Sequence, residues 1–551
     1  MMDYMINNKQ IHYITLFILC ILAFFVYNDT VYVNLAEARN FVTAREMLEK
    51  GNWLFPTMNG EPRLAKPPLP TWITAVFAHY FGLENISMLR FPAGVMASLL
   101  VFFMYAFSYK YTKKKIMAFI SSLVLLSSFY IVYVGRTATW DIYCHSFMLG
   151  AIYLLYQAWE TKKSSWIKFT GASILLGLSF LSKGPVAFYA LFLPFLISYI
   201  IVNGSKSMLN KWPQLLLTLG LFALIAFWWP VYIYLMHANE AKAIVNIESN
   251  SWLNRHTHHF WYYWYFPIES GVWTLFIFTA LIFPYAKANF KMFKTYRFAF
   301  LWTIISVVLL SIMPEKKDTY LLPVLIPTAL LATQFLYHLY SIFKLNRAKK
   351  IDNILYYINS IVVAVITFAI PFTLYFFLYK SSHKSLSLLI TLSIIYFSLF
   401  AYMLKTIHSK DIIGLVFSMV IAMAIAEAGI MPLAANLINQ NPNFKDIGAV
   451  KSITQINKLD YFHPYNEDFR TELVWQVGKE VGEWNFNTDT GIPKQGIAVF
   501  SNNKLSETLP ANLLDKYEIQ LIDYFNQSHN KKPKKFFKYL SIVKNKNSET
   551  R

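Results

Sequence analysis

Apolar residues run along this chain in long unbroken blocks, not in the short alternations of half-buried strands or amphipathic helices. The blocks lie at roughly 11–27, 88–108, 116–135, 142–159, 168–181, 186–202, 214–235, 271–286, 298–313, 320–341, 353–379, 387–404 and 412–431. Each approaches the ~20 residues that a helix needs to cross the hydrocarbon core. The pattern predicts a polytopic α-helical membrane protein with about 13 transmembrane helices. Two connecting segments are long, roughly 28–87 and 236–270. From about Ala434 the pattern turns polar: Gly496–Phe500 and Phe536–Val543 read as strands and Leu473–Trp484 as a helix. The expected organisation is a transmembrane domain over 1–433 and a small soluble α/β domain over 434–551.

The first block is read as a retained span, because Asn28-Asp29-Thr30 is a poor cleavage site for a signal peptide. Beyond it, Ala36–Lys50 reads as an amphipathic helix with Phe41, Ala44 and Leu48 on one face and Gly51 as its stop. Such a helix is expected to lie in the interface plane with its apolar face on lipid. The loop then reaches Lys66-Pro67-Pro68-Leu69-Pro70, which cannot be the interior of a helix.

Composition agrees with the pattern. Hydrophobic types make up 56% of the 551 residues and charged types 15%, against about 25% charged in ordinary soluble domains. The net charge of +20 does not require nucleic acid. The tail from Ala434 holds 16 Lys/Arg and 13 Asp/Glu, so the excess sits in the apolar part, with 34 basic and 17 acidic residues. One set of loops carries Lys110, Lys113–Lys115, Lys162, Lys163, Lys168, Lys206, Lys211, Lys287, Lys291, Lys294, Arg297, Lys344, Arg347, Lys349, Lys350, Lys405 and Lys410. The opposite set is poorer, so the first set is assigned to the cytoplasm and the two long loops and the tail to the periplasm. Cys20 and Cys144 both lie in apolar blocks, which argues against a structural disulfide or a thiolate zinc site.

Five polar clusters then fall on the periplasmic side. The first loop carries Glu37, Arg39, Arg45, Glu46 and Lys66. Arg grips phosphate as a planar fork and Lys as a point charge, so Arg39 and Lys66 are candidate ligands of a lipid phosphate, although basic residues at this depth also snorkel to the interface. Arg136 and Asp141 lie between two spans, where Asp141 is either a general base or the partner of Arg136 in a salt bridge. Lys183-Gly184-Pro185 puts a third cation in a tight turn. Arg255 is a fourth phosphate candidate. His256, His258 and His259 follow it, and His256 with His259 would be the ligands if a divalent metal bound here, but their spacing lacks the i, i+4 pair of helical zinc sites. Pro314–Tyr320 is the fifth cluster, with Tyr320 as a hydrogen-bond donor to phosphate.

The order of these pieces resembles the bacterial aminoarabinose transferase family, within the polytopic glycosyltransferases of GT-C type that use polyprenyl-phosphate sugars and are related to protein O-mannosyltransferases. The matching strings are Glu37-Ala38-Arg39, Ala44–Leu48, Gly51-Asn52-Trp53, Asn59–Pro62, Lys66–Trp72, Arg136 with Asp141, Gly177–Pro185 and Tyr320–Pro323. The resemblance implies an inner-membrane glycosyltransferase that moves a sugar from undecaprenyl phosphate to a periplasmic-side acceptor, such as lipid A or another envelope glycan or lipid. Two departures bear on the chemistry: Ala36 stands where the family usually has Asp, and Ala65 where it commonly has a Glu of a metal site. No cofactor is therefore expected to be required, with a divalent metal left open.

On this reading Arg39, Lys66, Arg255, Lys183 and Tyr320 hold the donor phosphate, and Glu37 and Asp141 act on the acceptor. The partners are the lipid-linked donor, a lipid or glycan acceptor and membrane lipid, with no nucleic acid. Three alternatives remain open: a protein O-glycosyltransferase of mannosyltransferase type, a flippase or transporter of lipid-linked sugar, and a non-catalytic scaffold. Paired broken helices in two related halves, the usual mark of a transporter, are absent from the sequence pattern. The topology is testable directly. A cysteine introduced into the tail should react with a membrane-impermeant reagent in spheroplasts, and one beside Lys113 only after permeabilisation; the reverse pattern contradicts the assignment.

Overall fold

The computed structural model describes residues 8–161, 165–254, 256–376, 386–430, 441, 443–489, 491–528 and 536–546. The chain divides into two compact units: Met1–Thr30, Leu64–Ile73 and Asn85–Leu433 form one, and Val31–Arg63, Thr74–Glu84 and Ala434–Arg551 form the other. This differs from the division expected at residue 433, because much of the first long loop belongs with the tail.

The first unit is helical, and each of the thirteen apolar blocks overlaps helix among the described residues, with 377–379 and 431 lying outside them. Six described helices are long and apolar enough to cross a membrane: Ile86–Thr112, Trp212–Met236, Phe293–Ile312, Asp318–Lys344, Lys350–Leu374 and Leu386–His408. Two bent pairs raise the number to eight. Lys9–Phe24, Phe188–Asn203 and Ile412–Ile425 are apolar but shorter, so thirteen full crossings are not matched one for one. The bends have local causes. Lys115–Leu126 and Phe129–Gly135 meet at 67° where Ser127 and Ser128 return their hydroxyls to the carbonyls of Leu123 and Val124, a bond that competes with the helix ladder. The indole of Trp273 donates to the Ser127 hydroxyl from outside at 2.9 Å. The 70° break before Phe283–Asn289 has Pro284 at its first turn, where no ladder donor is needed.

Two buried arginines close the end of Lys9–Phe24. Arg136 donates to the carbonyls of Ala23, Val26 and Tyr27 at 2.7–2.8 Å, and Arg90 donates to that of Asn28 at 2.7 Å. Both are fully buried. The last carbonyls of a helix have no intrahelical donor, and lipid offers none, so a guanidinium supplies them. The Arg136–Asp141 salt bridge entertained from the sequence is not among the ion pairs of the described residues, since Arg136 is committed to these carbonyls.

The second unit holds a five-stranded sheet in the order Val481–Trp484, Tyr461–Pro464, Ile497–Ser501, Phe537–Asn545, Tyr517–Asn526. The first three strands run parallel and the last two antiparallel, a small α/β arrangement as expected. The helix expected over Leu473–Trp484 is corrected: Thr471–Val477 is helical, Gly478 ends it at φ 78°, and Val481–Trp484 is a strand.

The first-loop helix spans Leu35–Lys50 and ends on Gly51 at φ 70°. Its apolar face does not lie on lipid, contrary to expectation. Phe41 and Ala44 are fully buried within this unit, with the Phe41 ring 5.0 Å from that of Trp475. Arg45 donates to the carbonyl of Val474 at 3.2 Å, near the C-terminal end of its helix, where a cation opposes the negative pole. Glu46, also buried, accepts from the Thr57 hydroxyl at 2.6 Å and from the backbone of Asn59 at 2.5 Å and Gly60 at 3.3 Å. These bonds hold the tight Asn59-Gly60 turn, in which both residues have positive φ, as a two-residue hairpin loop requires. Asn59 in turn exchanges two 2.8 Å bonds with the backbone of Val481, covering an edge strand. Glu46→Ala should therefore cost at least about 2–3 kcal/mol, the usual loss for buried bonds to a charged group. Limited proteolysis should show cutting within 52–62; wild-type resistance would contradict this role.

Candidate active site

The site is built where two helices of the first unit end side by side. Trp140–Glu160 and Trp166–Lys183 form a helical hairpin, so the start of one adjoins the finish of the other. Asp141 sits in the first turn of Trp140–Glu160 and Lys183 is the last residue of Trp166–Lys183. Each charge is thus placed at the helix pole that favours it. Gly177 lets the second helix approach Trp212–Met236 closely, because a Cβ there would lie 2.4 Å from Ile225.

The Lys183 ammonium donates to Asp141 Oδ1. Both residues are 8% exposed, so this is a buried ion pair that excludes most water. Lys183 Nζ also lies 5.0 Å from the centre of the Tyr320 ring, within cation–π range. Lys317 Nζ reaches the same ring at 5.6 Å and donates to Glu315 Oε1 at 2.5 Å. The Tyr320 hydroxyl donates to Glu315 Oε2 at 3.4 Å. A continuous chain of charge and ring contacts therefore runs from Asp141 to Lys317.

The segment carrying Glu315, Lys317 and Tyr320 is pinned from behind. Lys316 is 3% exposed and spends its ammonium on the carbonyls of His258 and Met313, at 3.0 and 2.7 Å. Its backbone donates to the carbonyl of His256 at 3.0 Å, beside an isolated bridge from Thr257 to Glu315. The Tyr263 hydroxyl accepts from Lys317 N and donates to Lys317 O. Tyr262 and Tyr265 both donate to Asp318 Oδ1, at 2.5 and 2.6 Å. The aromatic run after the histidines thus serves as a clamp on 315–318.

Beside this chain lies a cavity of about 290 Å³. Lys66, Lys183, Glu248, Glu315 and Tyr320 supply its polar groups, and Phe180, Val186, Trp229 and Ile233 are among its apolar walls. Lys66 Nζ is 3.9 Å from Glu248 Oε2, and each side chain is about one-third exposed. The arrangement places two cations and a phenol at an apolar slot, with the carboxylates Glu248 and Glu315 beside them.

Of the residues singled out in the sequence, Lys66, Lys183 and Tyr320 meet at this cavity and Asp141 joins through Lys183. Glu37 and Arg39 belong to the other unit. Glu37 is fully buried, and its Oε2 accepts from Asn34 N at 3.3 Å to close a capping box, a structural duty the sequence reading did not assign. Arg39 is half-buried on the same helix. Arg255 lies outside the described residues. His256 and His259 are exposed, and no group of three or more His, Cys, Asp or Glu side chains able to hold a metal is gathered among the described residues. No such group therefore gathers around His256 and His259 among the described residues. Glu248, Glu315 and Tyr189 line the cavity without having been assigned a role there. Glu315 was visible as part of a charge cluster, but nothing in the sequence connects Glu248 with Lys66.

Comparison with known proteins comes to the same group as the residues. Residues 65–229 match the family described as dolichyl-phosphate-mannose-protein mannosyltransferase. An uncharacterised protein of Aquifex aeolicus is 27% identical over 305 residues, covering 53% of this chain and 57% of the relative. The undecaprenyl phosphate-alpha-4-amino-4-deoxy-L-arabinose arabinosyl transferase of Wigglesworthia glossinidia brevipalpis is 26% identical over 304 residues, covering 54% and 53%. The alignments thus span about half the length of the curated relatives. The crystal structure of ArnT from Cupriavidus metallidurans bound to undecaprenyl phosphate superposes with a TM-score of 0.70 at 14% identity, over 97% of this chain and 98% of that one. The likeness to aminoarabinose transferases read from the sequence is borne out, and the chain has the ArnT fold: a multi-pass helical membrane unit with a small C-terminal sheet domain.

Proposed function

We propose that this protein is a membrane glycosyltransferase that transfers a sugar from a polyprenyl phosphate, undecaprenyl phosphate in its relatives' names, to an acceptor at the periplasmic face of the inner membrane. The observation that carries the reading is the Asp141–Lys183 pair beside an apolar cavity that also holds Lys66 and Tyr320. In the reaction the bond from the anomeric carbon to the phosphate oxygen breaks and its electron pair stays on the phosphate. A bond from the acceptor oxygen to the same carbon forms, and the acceptor loses its proton.

Negative charge grows on the leaving phosphate, so fixed cations there stabilise the transition state more than the ground state. Lys66 stands at the cavity with the Glu248 carboxylate 3.9 Å from its ammonium. Lys183 is aimed by Asp141 and by the ring of Tyr320. Asp141, a carboxylate at the same point, orients the acceptor and takes its proton. The apolar walls take the first isoprenyl units. Arg39 and Arg255 remain phosphate contacts proposed from the sequence. The acceptor is a lipid A phosphate or another envelope lipid or glycan; the local match to mannosyltransferases of protein supports the donor class and keeps a protein hydroxyl as the second choice.

Purified protein in detergent should consume undecaprenyl-phosphate sugar only when acceptor is present, whereas a flippase or scaffold leaves the donor intact. Lys66→Ala should lower turnover roughly 10²-fold and Lys66→Arg should restore part of it. Unchanged turnover in Lys66→Ala removes the residue from the donor site.

The ion pair gives a second test. Asp141→Asn strands a buried ammonium and should cost about 3–5 kcal/mol of stability. The double variant Asp141→Asn/Lys183→Met removes both charges and should recover most of that loss in thermal unfolding while remaining inactive. Recovery of activity with stability would make the pair a structural staple only. Replacing His256, His258 and His259 together by Ala should be less damaging than Asp141→Asn; the opposite order would bring the histidines into the chemistry.

A further inference from the structure

The helix Leu322–Lys344 starts beside the candidate active site and ends at a second cavity within the same unit. Gln334, on the wall of that cavity, is 14 residues from Tyr320, about 20 Å at the rise of an α-helix. The cavity measures about 460 Å³. Four cations stand on its wall: Lys114, Lys291, Arg347 and Lys349. They come from three separate loops, all assigned to the cytoplasmic side by their basic content.

The single carboxylate on this wall, Asp352, is already saturated. It accepts from the Tyr285 hydroxyl at 2.5 Å, the His338 ring at 3.3 Å and Lys349 N at 2.8 Å. Lys349 Nζ donates to Asn289 Oδ1 at 2.8 Å. Lys114, Lys291 and Arg347 make no ion pair among the described residues. The cavity wall therefore carries net positive charge that no ion pair among the described residues neutralises. A second observation points inward to a ligand: Gln334 is 3% exposed, and its Nε2, fully buried, has no hydrogen-bond partner. A buried donor without an acceptor costs about 1–3 kcal/mol, a cost that an anionic oxygen would remove.

We propose that this cavity binds the phosphate of an anionic phospholipid head group from the cytoplasmic leaflet, with Lys291 and Arg347 holding its charge and Gln334 donating to a phosphate oxygen. A lipid is favoured over a soluble phosphate because the cavity lies at the ends of apolar helices, Leu322–Lys344 and Lys350–Leu374, where basic pockets between helices meet head groups. Its wall adds Phe290, Met292, Tyr337, Ile342 and Leu345, against which a glycerol backbone can lie. This site is separate from the sugar-transfer chemistry and does not depend on that reading.

Native mass spectrometry of the full-length protein in detergent, titrated with dioleoyl-phosphatidylglycerol, tests the proposal. The wild type should retain one phosphatidylglycerol in preference to phosphatidylcholine. The variant Lys291→Gln/Arg347→Gln should bind it roughly tenfold more weakly, and Gln334→Leu should also weaken it. The control Lys287→Gln/Lys294→Gln removes the same charge from exposed positions off the cavity wall and should leave retention unchanged. All these variants except Gln334→Leu alter exposed side chains, so folding is not at issue. Equal retention by the Lys291/Arg347 variant overturns the proposal. So does equal loss in the control pair, which would mean diffuse surface attraction, and so does displacement of the lipid by millimolar inorganic phosphate, which would mean a free-anion site.

Discussion

A bilayer gives no water to a polar group, and the first unit is arranged around that shortage. Four charges drawn into its helical bundle are matched to something fixed. Arg136 and Arg90 meet the loose carbonyls at the end of the first helix, Lys316 meets two more at the clamp, and Lys183 meets Asp141. The first three are matched to backbone, which cannot leave. The last is matched to a side chain that is itself held at a favourable helix pole. Taking two ions out of water is expensive and is repaid only by good geometry. That makes this pair the point on which the site depends.

The consequences run outward from it. The pair ties the start of Trp140–Glu160 to the end of Trp166–Lys183 and aims an ammonium at Tyr320. Tyr320 is placed by Glu315 and Lys317, and these by the bonds of Lys316 and Tyr263 to the opposite segment. Cations arranged before substrate arrives need no reorganisation during the reaction, which is how electrostatic stabilisation becomes catalysis. The apolar walls of the cavity strengthen every such interaction by excluding water.

The spans were legible because a membrane imposes a length and a polarity on each helix. The 67° bend was not, since it comes from Ser127 and Ser128 competing with the ladder. In the site, Lys183, Asp141 and Tyr320 stood out as polar residues at the edges of apolar blocks, and Lys66 as the cation before a run of prolines. Their pairing did not: Asp141 is five residues from Arg136 and 42 from Lys183, and the near neighbour was the wrong partner because Arg136 had helix carbonyls to satisfy. The first-loop helix was correctly ended by Gly51, while its Asn34 cap emerges only in the structure. Its covering was misread, because an apolar face records that something covers it and not whether that is lipid or protein. Residues of the first loop and the tail, far apart in sequence, form one unit through long-range contacts such as Asn59 with Val481, which no local pattern encodes.

The proposed chemistry depends on where a donor phosphate sits. A cryo-electron-microscopy structure of the protein with undecaprenyl phosphate would measure this. A phosphate oxygen within about 3 Å of Lys66 Nζ, with the Lys183 ammonium turned from Asp141 toward the same group, is the result expected for charge-assisted hydrogen bonds. A phosphate bound elsewhere, with the Asp141–Lys183 pair closed and Lys66 still beside Glu248, would contradict it.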